Sequence, residues 1–185
     1  VRWLHSAEAD RVAGGEPLTG INLSPMDVSL RTLYEDFFPP FKKAIDAGVF
    51  TFMAAHNEIN GEPAHGSHFL LTEVLRDNWK FEGFVVSDWM DVSRLHTFHK
   101  VAKTPEDAVF QTVYAGMDMN MHGPDFGPHL INLFKNNRIT RSRIDSSVKP
   151  ILTAKFRLGL FENSQVDESL VEKSINLPTH RQTAL

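Results

Sequence analysis

An α/β fold on a parallel sheet is the architecture this sequence predicts, and three observations predict it. Short apolar runs rich in strand formers alternate with stretches of helical periodicity. Each run ends in polar residues, and no internal repeat or Ser/Gly linker interrupts the alternation. Such a sheet is closed or doubly wound, and its polar strand ends project from the C-terminal rim, where α/β enzymes place their chemistry.

The first helical stretch runs from Leu30 to Ala47, with Leu33, Phe37, Phe41 and Ile45 forming a stripe that Pro39-Pro40 must kink or restart. Val49 to Ala55 is the first strand. It ends at His56-Asn57-Glu58, ahead of the turn dipeptide Asn60-Gly61. Ser67 to Trp79 reads as a helix with Leu70, Leu71, Val74 and Leu75 on one face. Gly83-Phe84-Val85-Val86 is a buried strand ending at Ser87-Asp88-Trp89. Thr104-Pro105 caps a helix that reaches about Ala115 before Gly116.

Met117 to His122 is a weaker third strand, in which Met117, Met119 and Met121 alternate as one face would require. Gly127 to Asn136 is a short helix. Thr140 caps a longer one carrying Ile144, Val148, Ile151, Leu152 and Phe156, with Gly159 at its end. Three strands do not close a (β/α)8 barrel of the TIM type, which needs about 250 residues, so the chain reads as the last strands and helices of one. Residues 1–163 hold this part. Residues 164–185 form a polar tail, with a new helix opening at Pro178-Thr179-His180-Arg181.

Composition removes several classes. The 19 Lys+Arg against 23 Asp+Glu give a net charge of −4, so nothing suggests a nucleic-acid partner. No Cys is present, which excludes disulfides and thiol nucleophiles. No apolar run approaches the ~20 residues of a membrane span, so no membrane partner is expected either. Val1-Arg2-Trp3-Leu4-His5 lacks an initiator Met and a signal-peptide core, and the chain is expected to be a fragment. Open sheet edges then predict marginal stability for it in isolation.

Asp88 is the leading chemical candidate, a carboxylate delivered to the rim by a buried strand with the flat indole of Trp89 beside it. Sugar chemistry needs this pairing: the carboxylate meets positive charge developing at the anomeric carbon, and the aromatic face packs on sugar C–H groups. The plainer alternative is that Asp88 caps the following helix and Trp89 fills the core. Asp91, three residues on, is expected to tolerate Asn far better than Asp88. Histidine offers a rival: His65-x-x-His68 and His96-x-x-His99, with Asp88, Asp91 and His122, could be assembled into a metal site. With 9 His in the chain such spacings arise cheaply, so no metal and no cofactor is assigned.

The segment Gly83 to Trp89 closely resembles the nucleophile segment of glycoside hydrolase family 3, the β-glucosidase family. Met53-Ala54-Ala55-His56-Asn57-Glu58-Ile59-Asn60-Gly61-Glu62-Pro63 is similar to that family's M-x-S-Y-N-x-I-N-G-x-P, and Leu71 to Phe81 to its L-L-T-D-I-L-R-x-x-W-x-F. Arg31 to Phe41, Ala115 to Met119 and Arg138 to Phe161 match further segments, and Asn176 to Leu185 resembles the lead-in to a second α/β domain.

The resemblance implies a retaining β-glycosidase acting at the non-reducing end of β-linked glucosides or oligosaccharides, with Asp88 as nucleophile and Trp89, His56 and Met53 lining the sugar subsite. It also implies an acid/base Glu from the missing second domain, so the isolated chain is expected to be inactive. Glu58 is not assigned that role. Ser87-Asp88-Trp89 favours the β-glucosidase or β-xylosidase branch over the N-acetylglucosaminidases, which read Ser-Asp-Asp.

Two positions depart from the family pattern. His56 replaces a common Tyr, and the family's Lys-His pair is absent near Ala9-Asp10. The second departure motivates a different reading, a barrel remnant serving as a sugar-binding or scaffold module. By the same resemblance a periplasmic or secreted location is favoured.

Overall fold

The computed structural model describes residues 25–123, 125–165 and 167–184. The expected Lys-His position near Ala9-Asp10 lies outside them. Two compact units divide the chain, Val1–Ala154 and Lys155–Leu185.

In the first unit, helix α1 (Leu30–Thr32) opens where Ser29 Oγ accepts the Thr32 N–H at 3.1 Å. A π turn, Leu33–Phe37, then leads into α2 (Phe38–Asp46). Pro39 and Pro40 cannot donate to carbonyls one turn back, and the ladder widens at this point before resuming. Strand β1 (Thr51–Met53) follows, and then a hairpin of β2 (Glu58–Ile59) and β3 (Glu62–Pro63). Asn60 (φ 54°) and Gly61 (φ 82°) both take the left-handed conformation that a tight two-residue turn demands.

Strand β4 (Phe84–Val86) pairs parallel with β1, Thr51 opposite Phe84 and Met53 opposite Val86. Gly83 permits this approach: a Cβ there would lie 2.1 Å from the Phe50 carbonyl oxygen. The weaker third strand is reduced to two isolated parallel bridges, Val86 with Met119 and Trp89 with His122, the first reinforced by Ser87 N–H to Met119 O at 2.8 Å. Met117 is buried while Met119 and Met121 are exposed, so the methionine alternation does not describe one buried face.

Between β3 and β4, the expected helix is wound as a π-helix over Phe69–Asn78. Leu71, Val74 and Leu75 are buried as the stripe predicts, and Leu71 and Leu75 pack with Phe52, Phe81 and Val85 in the main core. Helix α3 (Asp91–Thr97), the helix Asp88 was offered as capping, starts instead from Met90 at φ 62° with no side-chain cap. Helix α4 (Pro105–Ala115) has the expected ends, Thr104 Oγ1 accepting the Asp107 N–H at 3.1 Å and Gly116 at φ 121°.

Helices α5 (Phe126–Lys135) and α6 (Arg141–Arg157) complete the layer. The apolar stripe expected on α6 is not its buried face: Val148, Leu152 and Phe156 are exposed, and Ser147, Pro150 and Ala154 are buried. Small residues face inward there because Arg143 and Ser147 are tied to Asp118. The second unit holds α7 (Val171–Ser174) and α8 (Pro178–Thr183), the latter starting at the expected proline. Among the described residues no helix is long and apolar enough to cross a membrane.

Candidate active site at the strand ends

The apolar run of β4 carries Ser87 to the C-terminal rim fully buried. Its hydroxyl accepts the Met121 N–H at 2.9 Å and faces Asn120 Oδ1 at 3.2 Å, tying two strand ends together. Asp88 comes next, with its side chain 27% exposed. Its backbone N–H donates to His65 Nε2 at 3.0 Å, and its Oδ1 accepts the Trp89 N–H at 2.6 Å. The carboxylate therefore braces its own turn and makes no side-chain cap to α3, whose N-cap is Met90.

Oδ2 of Asp88 faces His56 Nε2 at 3.1 Å. The same imidazole turns Nδ1 to Asp91 Oδ2 at 2.6 Å, so one ring stands between two carboxylates. Asp91, expected to be a tolerant neighbour, is instead buried, and Arg94 Nη1 donates to its Oδ1 at 2.6 Å. The left-handed Met90 immediately precedes Asp91 at the start of α3. His65 is buried, which pulls its pKa down to about 4; Asp91 and Asp88 oppose the shift but do not overcome it. Neutral His65 matches its geometry, since Nε2 must be unprotonated to accept from Asp88 N–H.

Trp89 is 54% exposed and does not fill the core. One face of its indole is stacked on His122, with ring centroids 3.9 Å apart and planes at 9°. Met53 stands opposite Val86 in the sheet and lines an apolar cavity with Met26, Ile59 and Trp79. Glu58 is engaged elsewhere, its Oε2 3.1 Å from His99 Nδ1.

The histidine metal set is not assembled. His68 pairs with Glu73, His96 with the Ala102 carbonyl, His99 with Glu58, and His122 with Trp89. Among the described residues, the group of donors close enough to share an ion is His56, Asp88 and Asp91. There the imidazole is hydrogen-bonded to Asp91 through Nδ1 and faces Asp88 at ion-pair distance through Nε2, and Arg94 supplies a further positive charge. Sequence reasoning named Asp91 only as a metal-site donor and a tolerant neighbour, and missed Arg94. Their three-residue separation, one helical turn, was the signal available.

Parallel β/α units that collect carboxylates, imidazoles and an exposed indole at the ends of their strands define an enzyme domain with its chemistry at the rim. Residues 13–154 match the glycosyl hydrolase family 3 N terminal domain, and the chain belongs to that family. It is 41% identical over 91% of its length to a putative β-xylosidase of Formosa agariphila, covering 23% of that protein. It is 36% identical over 86% of its length to a periplasmic β-glucosidase of Salmonella typhimurium, covering 20% of it. The structure of a β-glucosidase from Erythrobacter marinus superposes with a TM-score of 0.85 at 36% identity, covering 93% of this chain and 23% of that one. The chain thus spans roughly a fifth to a quarter of the length of these relatives.

Proposed function

We propose that the chain is the nucleophile-bearing part of a retaining β-glycosidase that removes the non-reducing-end sugar from β-glucosides, or from β-xylosides as the names of its relatives equally allow. The observation that carries this reading is Asp88 itself, a part-exposed rim carboxylate with Oδ2 3.1 Å from the His56 ring. An oxygen of Asp88 forms a bond to the anomeric carbon as the bond to the leaving oxygen breaks. That oxygen takes a proton from an acid outside these residues. Water then attacks the same carbon, loses its proton to the same group, and releases Asp88 as carboxylate.

Trp89 offers its free face to the sugar ring, while His56 and Met53 border the subsite. The strands are the later members of a (β/α)8 barrel. Residues 164–185 lead toward a second domain that supplies the acid/base Glu. A periplasmic or secreted location accords with the periplasmic relative.

The test is turnover of p-nitrophenyl β-glucoside and β-xyloside by the intact protein, with the anomer of the product read by NMR. Retention is expected, with a fall of several orders of magnitude in Asp88→Asn. Inversion, or an active Asp88→Asn protein, refutes the reading.

A further inference from the structure

The ring of His56 has two nitrogens and a carboxylate oxygen in front of each, Asp91 Oδ2 at 2.6 Å from Nδ1 and Asp88 Oδ2 at 3.1 Å from Nε2. A neutral imidazole has one N–H and would turn a lone pair on one of these oxygens. A ring that satisfies both donates at both and carries a positive charge. Arg94 Nη1 lies 3.1 Å from Nδ1 and has two N–H groups, one of which donates to Asp91 Oδ1 at 2.6 Å; the 2.6 Å approach of Asp91 Oδ2 is the shorter contact on Nδ1 and takes its N–H. Charges then balance: Asp88 and Asp91 are negative, His56 and Arg94 positive, and buried His65 neutral. Asp91 has no surface role to explain it, since its side chain is 3% exposed beneath the ring.

We propose that Asp91 and Arg94 are positioning residues for glycosyl transfer: together they hold His56 as a cation whose Nε2 faces the nucleophile Asp88 at ion-pair distance. This rests on the reading of Asp88 above. Asp91 fixes the plane of the ring and the proton on Nδ1. Arg94 neutralises the second buried carboxylate, so that Asp91 attracts the ring without adding net negative charge beside Asp88. The facing ring aims the Asp88 carboxylate for attack. In the second step, charge returns to Asp88 as its bond to the anomeric carbon breaks, and the cation stabilises that charge.

The test is the rate at which 2,4-dinitrophenyl 2-deoxy-2-fluoro-β-glucoside inactivates the intact protein, with the labelled residue read by mass spectrometry. This leaving group needs no acid catalyst, so the rate reports the nucleophile alone. Asp91→Asn should lower the maximal inactivation rate about 10- to 100-fold, as loss of a carboxylate orienting a functional histidine typically does, while the half-saturating inhibitor concentration changes far less. Asp91→Glu should recover most of the loss, and Arg94→Met should show an intermediate one. Rates are normalised to the folded fraction from circular dichroism.

A label on Asp88 with Asp91→Asn reacting at the wild-type rate overturns the positioning proposal and leaves the nucleophile assignment standing. A fall that vanishes on normalisation to folded protein overturns it as well. A label on another residue in the wild-type protein overturns both.

Discussion

The backbone N–H of Asp88 donates to Nε2 of His65, 3.0 Å away, across the gap between the hairpin and the end of β4. This bond requires His65 to be neutral, and burial enforces that by lowering its pKa from 6.5 to about 4.

Between those two pH values the unfolded chain holds a proton on His65 that the folded chain does not. Stability is therefore fully present above pH 6.5, declines as pH falls toward 4, and levels off below it. The difference approaches about 3 kcal/mol in the acid limit. Urea midpoints measured across this range should fall with acidification in the wild-type chain. In His65→Gln, whose side-chain oxygen can still accept from Asp88, the slope should shrink by about one proton. Parallel slopes in the two proteins contradict the assignment.

Asp118 is the main electrostatic anchor of the helix layer. Its side chain is 1% exposed, Oδ2 accepts the Val85 N–H at 2.9 Å and pairs with Arg76, and Oδ1 accepts from Ser147 Oγ at 2.8 Å with Arg143 at 3.5 Å. Burial pulls the Arg143 guanidinium below its ordinary pKa, and Asp118 is the charge that opposes this. Asp118→Asn leaves two guanidinium groups without their counter-charge and should cost about 3 kcal/mol. Asp107→Asn, in the more exposed pair with Arg138, should cost under about 1 kcal/mol. Equal losses in chemical denaturation would refute the ranking.

Gly83→Ala should prevent the β1–β4 pairing. The added methyl carbon would lie 2.1 Å from the Phe50 carbonyl oxygen and 2.6 Å from the Phe81 ring, and neither backbone nor core side chain can yield that much. Loss of the folded circular dichroism signal is the expected result, and a native-like spectrum with unchanged melting contradicts it.

What the sequence revealed follows from where each signal resides. The two strands were legible because Phe52, Phe84 and Val85 are apolar and buried. The third was faint because isolated bridges at Met119 and His122 leave no run of paired residues to select strand formers. Helix α4 was legible at both ends through Thr104-Pro105 and Gly116, whereas α3 begins on a left-handed Met90 without a capping side chain. Periodicity marked Phe69–Asn78 as helical but did not distinguish its π winding. Asp88 and His56 stood out as polar residues ending apolar runs. Asp91 and Arg94 did not, because their place is set by a turn and by contacts from a distant strand end.

Asp88 is the residue proposed to form the covalent bond to the sugar. The direct measurement is mass spectrometry of peptides from the intact protein after exposure to a 2-deoxy-2-fluoro glucoside with a good leaving group. The fluorine slows both steps and the leaving group rescues only the first, so the glycosyl-enzyme accumulates. A fluoroglucosyl adduct on Asp88, absent from Asp88→Asn, is the expected result; an adduct on Glu58 or Asp91, or full turnover by Asp88→Asn, would contradict the assignment.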